Sequence, residues 1–480
     1  MIIAMRKHKS STSSLRPSVL LPVLLLAAGA LAIGQDGIED ATLSAGSFTI
    51  KRFDRQAFSE PAGVLTLKQR QTFMVGRSVF NRQWAAVTSL NGDWGLGPTF
   101  IADRCSACHI NTGRGSPPEH GEQMLSMLVR LSLPGEGVHG APRPHPNYGD
   151  QLQNRSLDGR NVDLAYAGSP VPPEADIYLD WDERTVTFPD GEAIELRSPK
   201  LRIEKLNFGP LGADIMTSVR IAQPIFGLGL FEAVSEQTLL EIARVQKTLG
   251  FNGRPNYVWD SINQRTALGR FGWKANQPSL KQQIVSAAIG DMGVASRFFP
   301  DQNCPPVQDI CARHLPGNVP ELGTNEIDTL ELWLRGLAVP ARRDMQNPDV
   351  RKGQQLFVQA QCAVCHVPEL RTGAFPGMRQ LSDQTFRAYT DMLLHDMGDG
   401  LADGRPDFKA GPRDWRTPAL WGLGMSQTVS GSTAMLHDGR ARNVTEAILL
   451  HGGEAERARE AFRNMAKSER DAIVRFVEAI

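Results

Sequence analysis

Cysteine, histidine and tyrosine are scarce: 480 residues carry six, ten and five of them. So few cysteines exclude a small disulfide-stapled scaffold, and the placement of each becomes informative. No excess of either charge exists, with 52 basic against 52 acidic residues and a net charge of zero. That balance argues against a nucleic-acid binder or a polybasic membrane binder. Long hydrophobic runs are also missing. The most apolar stretch, Val19 to Ala32, is interrupted by Pro22 and Gly29 and falls short of the ~20 residues that span a bilayer. What is abundant is glycine, 45 residues, and proline, 31 residues, so many turns and long loops are expected. With 41% hydrophobic and 22% charged residues, the chain is an ordinary folded protein with core for several domains.

Arg6, Lys7, Lys9 and Arg16 precede the apolar run, and Ala30-Leu31-Ala32 supplies a small-x-small cleavage pattern. Residues 1–33 therefore read as a secretory signal cleaved near Ala32. The expectation is a periplasmic protein with no stable membrane insertion once the signal is removed, in a compartment where disulfides persist. Residues 34–66 read as a poorly ordered lead-in.

Residues 67–81 have the composition of a helix, and residues 82–160 are dense in turn formers. Between about 170 and 205 the period changes to two: Ile177, Leu179 and Trp181 alternate with polar residues, and Asp190-Gly191 marks a hairpin turn. Helical spacing returns beyond residue 235, as in Ile327, Leu330, Leu334 and Leu337 before Pro340. Ser468 with Asp471 resembles a capping box ahead of Ile473, Phe476, Val477 and Ile480.

Four cysteines form two copies of one pattern, Cys105-Ser-Ala-Cys108-His109 and Cys362-Ala-Val-Cys365-His366. Two thiols one helical turn apart can form thioethers with the vinyl groups of a haem, and the adjacent imidazole then ligates the iron. Zinc would want its four ligands from closely spaced pairs, and a redox dithiol would not require the histidine. The reading is two covalently bound c-type haems. Cys304 and Cys311, seven residues apart around Pro305-Pro306, read as a local disulfide, with a functional thiol pair as the alternative.

The expected fold class is mainly α: two cytochrome c-like haem domains, residues 67–339 and 340–480, with long loops and a small β-rich insertion.

The segments GPTFIADRCSACH, NYGDQLQ, QPIFGLGLFEAV, LGRFGWKA, GDMG, CAVCHVP, LLHDMG, WRTPALWGLG, LHDGRAR and HGGEA, between residues 97 and 460, carry a resemblance. The chain resembles the di-haem oxidoreductase family of periplasmic peroxidases, also labelled thiol oxidoreductases. More distantly it is similar to bacterial di-haem cytochrome c peroxidases and to the di-haem enzyme that matures tryptophan tryptophylquinone.

Those peroxidases place a tryptophan between their haems in a Phe-Trp-Asp-Gly-Arg-Ala segment. Phe271-Gly272-Trp273-Lys274-Ala275 is similar, without the Asp-Gly-Arg, which makes Trp273 the bridging candidate. Gln283 stands where the distal-pocket glutamine would fall. Asp291-Met292 stands, shifted by two, for the acidic residue that moves a proton between the peroxide oxygens.

The resemblance further implies a sixth ligand for the C-terminal haem fourteen residues after a His-x-Gly motif. Here His437-Asp438-Gly439 is followed at that distance by His451, so His109, His366 and His451 are the expected iron ligands. A bis-histidine iron should have a lower potential than a His/Met one. His437 would be a second-layer or propionate contact and His395 an internal hydrogen-bonding residue. His120, His139 or His145 could close the first haem. A calcium ion between the haems, near Asn256 and Ser432, is a further implication.

The implied activity is reduction of hydrogen peroxide at the N-terminal haem. Electrons would come through the C-terminal haem from a small redox protein, cytochrome c or a cupredoxin, or from an unknown reductant. The alternatives are a non-enzymatic electron-transfer cytochrome and peroxide-dependent oxidation of protein side chains.

Overall fold

The computed structural model describes residues 42–85, 95–157, 170–313 and 320–480. The expected signal segment lies outside them. Among the described residues no helix is long and apolar enough to cross a membrane.

The first long helix, α1 (Leu67–Asn81), starts where Thr66 accepts from the Gln69 amide and Gln69 returns a bond to Thr66, a capping box. Strand β1 (Met127–Glu136) follows the first Cys-x-x-Cys-His turn. The hairpin β2 (Asp176–Thr187) and β3 (Ala193–Glu204) pairs antiparallel over twelve positions, closed by the Asp190-Gly191 turn. β4 (Met216–Ile221) then pairs antiparallel with β1 from Met127↔Ile221 to Ser132↔Met216. Helices α2 (Leu228–Ala233), α3 (Glu236–Thr248), α4 (Leu280–Met292) and α5 (Thr324–Gly336) follow, with a short hairpin over Tyr257–Leu268 between α3 and α4.

Beyond α5 come α6 (Pro348–Gln359) and the short antiparallel strands β5 (Leu394–Asp396) and β6 (Asp414–Arg416). Helices α7 (Val444–Leu449), α8 (Glu456–Arg463) and α9 (Lys467–Ala479) close the chain. α6 and α9 pack so closely that a Cβ on Gly353 would meet the Ala472 carbonyl oxygen at 1.9 Å. α9 is capped at Ala466, whose amide donates to Glu469, so its cap lies two residues before Ser468.

The mainly α expectation is corrected. Among the described residues 33% are helical and 21% lie in strands, with twelve helices and several sheets. The reason lies in β1 and β4, within segments dominated by turn formers. Met127, Val129 and Leu131 alternate inward and are buried, yet that period-two signal is brief and flanked by glycine and proline. Tertiary pairing with a strand almost ninety residues on outweighs the local reading. Residues near the start also pack on the body: Phe48 and Phe58 are buried, and Thr49–Ile50 pair in parallel with Val339–Pro340.

Candidate functional site

Cys105–Cys108 form one helical turn entered from extended Arg104, and the His109 amide donates back to the Cys105 carbonyl. Gln361, at φ 65°, turns the chain into the second turn, Cys362–Val364, and the His366 amide donates to the Cys362 carbonyl. The two motifs thus share one backbone hydrogen bond, from the histidine to the first cysteine, across an α-helical turn in one and a 3-10 turn in the other. Each imidazole is then fixed from elsewhere. His109 Nδ1 lies 2.7 Å from the Gln223 carbonyl oxygen, His366 Nδ1 3.0 Å from that of Tyr389, and His451 Nδ1 2.6 Å from that of Ala447. A carbonyl only accepts, so each Nδ1 carries the proton and each Nε2 keeps its lone pair. Burial lowers all three from the ordinary imidazole range, His366 to about 4, which keeps that lone pair available.

Two cavities receive these groups, with about 1670 and 1440 Å³ of space not filled by protein atoms, part of it open to solvent. The first is lined by Cys105, Cys108, His109, Gln283 and Asp291, the second by Cys362, Cys365, His366 and His451. His366 and His451 therefore share one cavity. In the first, His109 is the one histidine among the described lining residues. Trp273 and Arg416 line both cavities and form a common wall. The Trp273 indole donates to the Ile221 carbonyl (2.8 Å). The Arg416 amide donates to the Trp273 carbonyl (2.8 Å), and its guanidinium donates to Gly272 O (2.9 Å) and Gln223 Oε1 (3.0 Å).

Arg416 was not singled out by sequence reasoning, although it lies in the WRTPALWGLG motif. It is 4% exposed, and burial lowers it to about 10. Arg114 lines the second cavity, is likewise lowered to about 10, and has a buried Nε with no hydrogen-bond partner. Neither has a carboxylate within ion-pair distance among the described residues. A buried cation without a counter-charge is costly, so both sites suit an anionic group brought from outside the chain.

Asp291 sits at the end of α4, where Gly293 (φ 64°) terminates the helix against Gly97. Its carboxylate accepts from Gln151 Nε2 at 2.9 Å. Burial pushes the carboxyl up, against the pull of Arg130 and the Gln151 bond. Burial likewise pushes Cys105, Cys108 and Cys362 up to about 12, the opposite of what a thiolate-based dithiol needs. Cys304 and Cys311 are disulfide-bonded.

The remaining candidates lie apart from the first cavity. His120 is exposed beside Asp180, His139 stacks on Trp259 at 3.7 Å, and His145 is bonded within its own loop and to the Leu211 carbonyl. Around the second cavity, His437 stacks on Trp415 at 3.6 Å. His395 bonds Asp391 (2.8 Å) and Glu454 (3.0 Å); burial opposes its protonation, but the two carboxylates outweigh it and raise it well above the usual imidazole range. Asn256 has its amide spent on the Lys274 and Asp407 carbonyls and its oxygen on the Lys409 amide, while Ser432 Oγ accepts from the Ala434 amide. The buried Lys274 ammonium instead takes Asp403 Oδ1 and the carbonyls of Arg405 and Gly411, all within 2.9 Å.

No curated protein and no solved structure matches the chain. Residues 38–480 match the family described as "di-haem oxidoreductase, putative peroxidase". With every described residue covered and a cavity behind each of its two motifs, the protein belongs to the di-haem oxidoreductase family.

Proposed function

We propose that this oxidoreductase is an exported di-haem c-type enzyme that reduces hydrogen peroxide at the first cavity, with electrons relayed from the second. The observation that carries this reading is the unequal pair of cavities behind one shared wall. The second presents two Nδ1-anchored histidines, His366 and His451, whereas the first presents His109 and a buried carboxyl.

The residues fit haem. Cys105 and Cys108 would hold one macrocycle through thioethers and Cys362 and Cys365 the other, in apolar cavities of adequate size. His109 would ligate the first iron, and His366 with His451 the second. Arg416 and Arg114, buried without carboxylate partners, suit the propionates. Bound there, haem supplies the one-electron chemistry that the side chains lack.

The chain's own contribution is positional and acid–base. The Gln223, Tyr389 and Ala447 carbonyls orient the three imidazoles. The Asp291 carboxyl, held at Oδ1 by Gln151, would take a proton from one oxygen of peroxide and return it to the other, while Gln283 lines the same space. Trp273 spans the wall between the cavities and is the relay candidate. The donor would be a small redox protein such as a cytochrome c or a cupredoxin. A calcium ion between the haems, near Asn256 and Ser432, would have to use oxygens that each already accept one hydrogen bond, from the Lys409 and Ala434 amides, or nearby backbone carbonyls.

The test is an EPR and optical spectrum of the purified holo-protein. A high-spin ferric signal from one haem supports peroxide chemistry. Two low-spin haems that stay low-spin on partial reduction would overturn it in favour of an electron-transfer cytochrome.

A further inference from the structure

Two sequence motifs, NYGDQLQ and GDMG, supply none of the cysteines and histidines assigned to haem, yet the fold brings them together beside the first cavity. Gln151 and Gln153 are two residues apart on extended chain and so share a face; both are buried. Gln151 Nε2 donates to the Gly290 carbonyl (2.7 Å) and to Asp291 Oδ1 (2.9 Å), and Gln153 Nε2 donates to the same carbonyl (2.8 Å).

On its other side the Gln153 amide donates to Glu174 Oε2 at 2.7 Å. Glu174 Oε1 accepts from Gln308 Nε2 at 2.6 Å. Gln308 lies inside the Cys304–Cys311 disulfide loop and is the one buried residue in the exposed stretch Pro306–Ile310. A continuous line of contacts therefore runs from a surface loop, through Glu174 and two glutamines, to the carboxyl in the first cavity.

Two features show that this line carries more than packing. Glu174 is 1% exposed and has no Lys, Arg or His in ion-pair contact among the described residues. The side-chain oxygens of Gln151, Gln153 and Gln308, and that of neighbouring Asn154, are all buried with no hydrogen-bond donor. Along the line itself, the orphan acceptors of Gln151, Gln153 and Gln308 call for donors, which water or a protonated carboxyl supplies.

We propose that Glu174 is the buried acid that re-protonates Asp291, through water held on the amide oxygens of Gln151 and Gln153. This rests on the peroxide-reducing reading. Reduction of one peroxide to two waters consumes two protons with the two electrons of the redox-protein donor, and both protons must enter a largely apolar cavity. In each delivery the O–H bond of Glu174 breaks, a water passes a proton on, and an O–H bond forms on the Asp291 carboxylate. Glu174 then takes a proton from solvent at the disulfide loop. Burial pushes its carboxyl up to about 8, so at neutral pH it holds the proton it must give. The ionisable groups facing it are Asp150 and Tyr148, and Arg130 faces Asp291. Glu174 acts through Asp291, as a supplier and not as a group touching substrate.

The experiment compares holo-protein wild type, Glu174→Gln and Glu174→Asp during peroxide turnover with a reduced one-electron dye, in H2O and D2O. Glu174→Gln should slow kcat roughly a hundredfold and enlarge the solvent isotope effect. The KM for peroxide and the haem spectra should stay unchanged, and Glu174→Asp should restore part of the rate. Infrared spectra at pH 7 should show a protonated-carboxyl C=O band that Glu174→Gln removes. This band is read without turnover, so it guards against a variant that merely folds poorly. A wild-type rate and isotope effect in Glu174→Gln, or no such band, overturns the relay alone. A wild type that consumes no peroxide overturns the function and the relay with it.

Discussion

The main-chain amide of Arg416 donates to the carbonyl of Trp273 at 2.8 Å, and these two residues make the wall that both cavities share. If Trp273 carries electrons between the cavities, Trp273→Phe should slow oxidation of the C-terminal haem by peroxide in stopped-flow traces. The static spectra of both haems should stay as they are. The variant also strands the Ile221 carbonyl, at a stability cost of about 1 kcal/mol.

His451 reaches the second cavity from the end of α7, braced by the Ala447 carbonyl. His451→Ala should convert the C-terminal haem alone to high spin in EPR and optical spectra. An unchanged spectrum removes it as a ligand.

Asp291 is the one carboxyl lining the first cavity among the described residues. Asp291→Asn preserves shape and removes the proton acceptor. The peroxide reaction should fall by roughly 10²–10⁴-fold in rapid-mixing kinetics, with haem content unaltered.

The raised carboxyl of Glu174 ties stability to pH with a definite sign. Between its ordinary value of 4.5 and about 8, the folded state keeps a proton that the unfolded chain has released. Its contribution is complete below the lower value and is lost as pH rises towards 8, at up to about 1.4 kcal/mol per pH unit. Denaturant midpoints at pH 6 and pH 8.5 should therefore converge in Glu174→Gln relative to wild type.

Gly353 tests the packing of α6 on α9. Its missing Cβ leaves room for the Ala472 carbonyl, so Gly353→Ala should destabilise by about 2 kcal/mol, seen as a lower Tm of the holo-protein.

Much of this was legible locally. The two Cys-x-x-Cys-His turns announce themselves because their chemistry needs residues one helical turn apart. α1 matches the helix read over residues 67–81, and the β2–β3 hairpin lies within the period-two stretch around Asp190-Gly191. The mainly α reading failed where a short alternation, Met127 to Leu131, was surrounded by turn formers and its partner strand lay far along the chain. Arg416 was missed because a buried arginine has no spacing signature: what distinguishes it is that no carboxylate among the described residues lies within ion-pair distance.

The sequence by itself determined which residues are the candidates to carry haem, because thiol–thiol–imidazole spacing is set within five consecutive residues. The tertiary structure decided how those groups are oriented and coupled. Gln223 fixes His109 from 114 residues away, Gly272 and Arg416 meet across 144, and Gln151 holds Asp291 across 140. Such contacts are chosen by which buried polar groups must find partners once the core closes, and no local pattern records that choice.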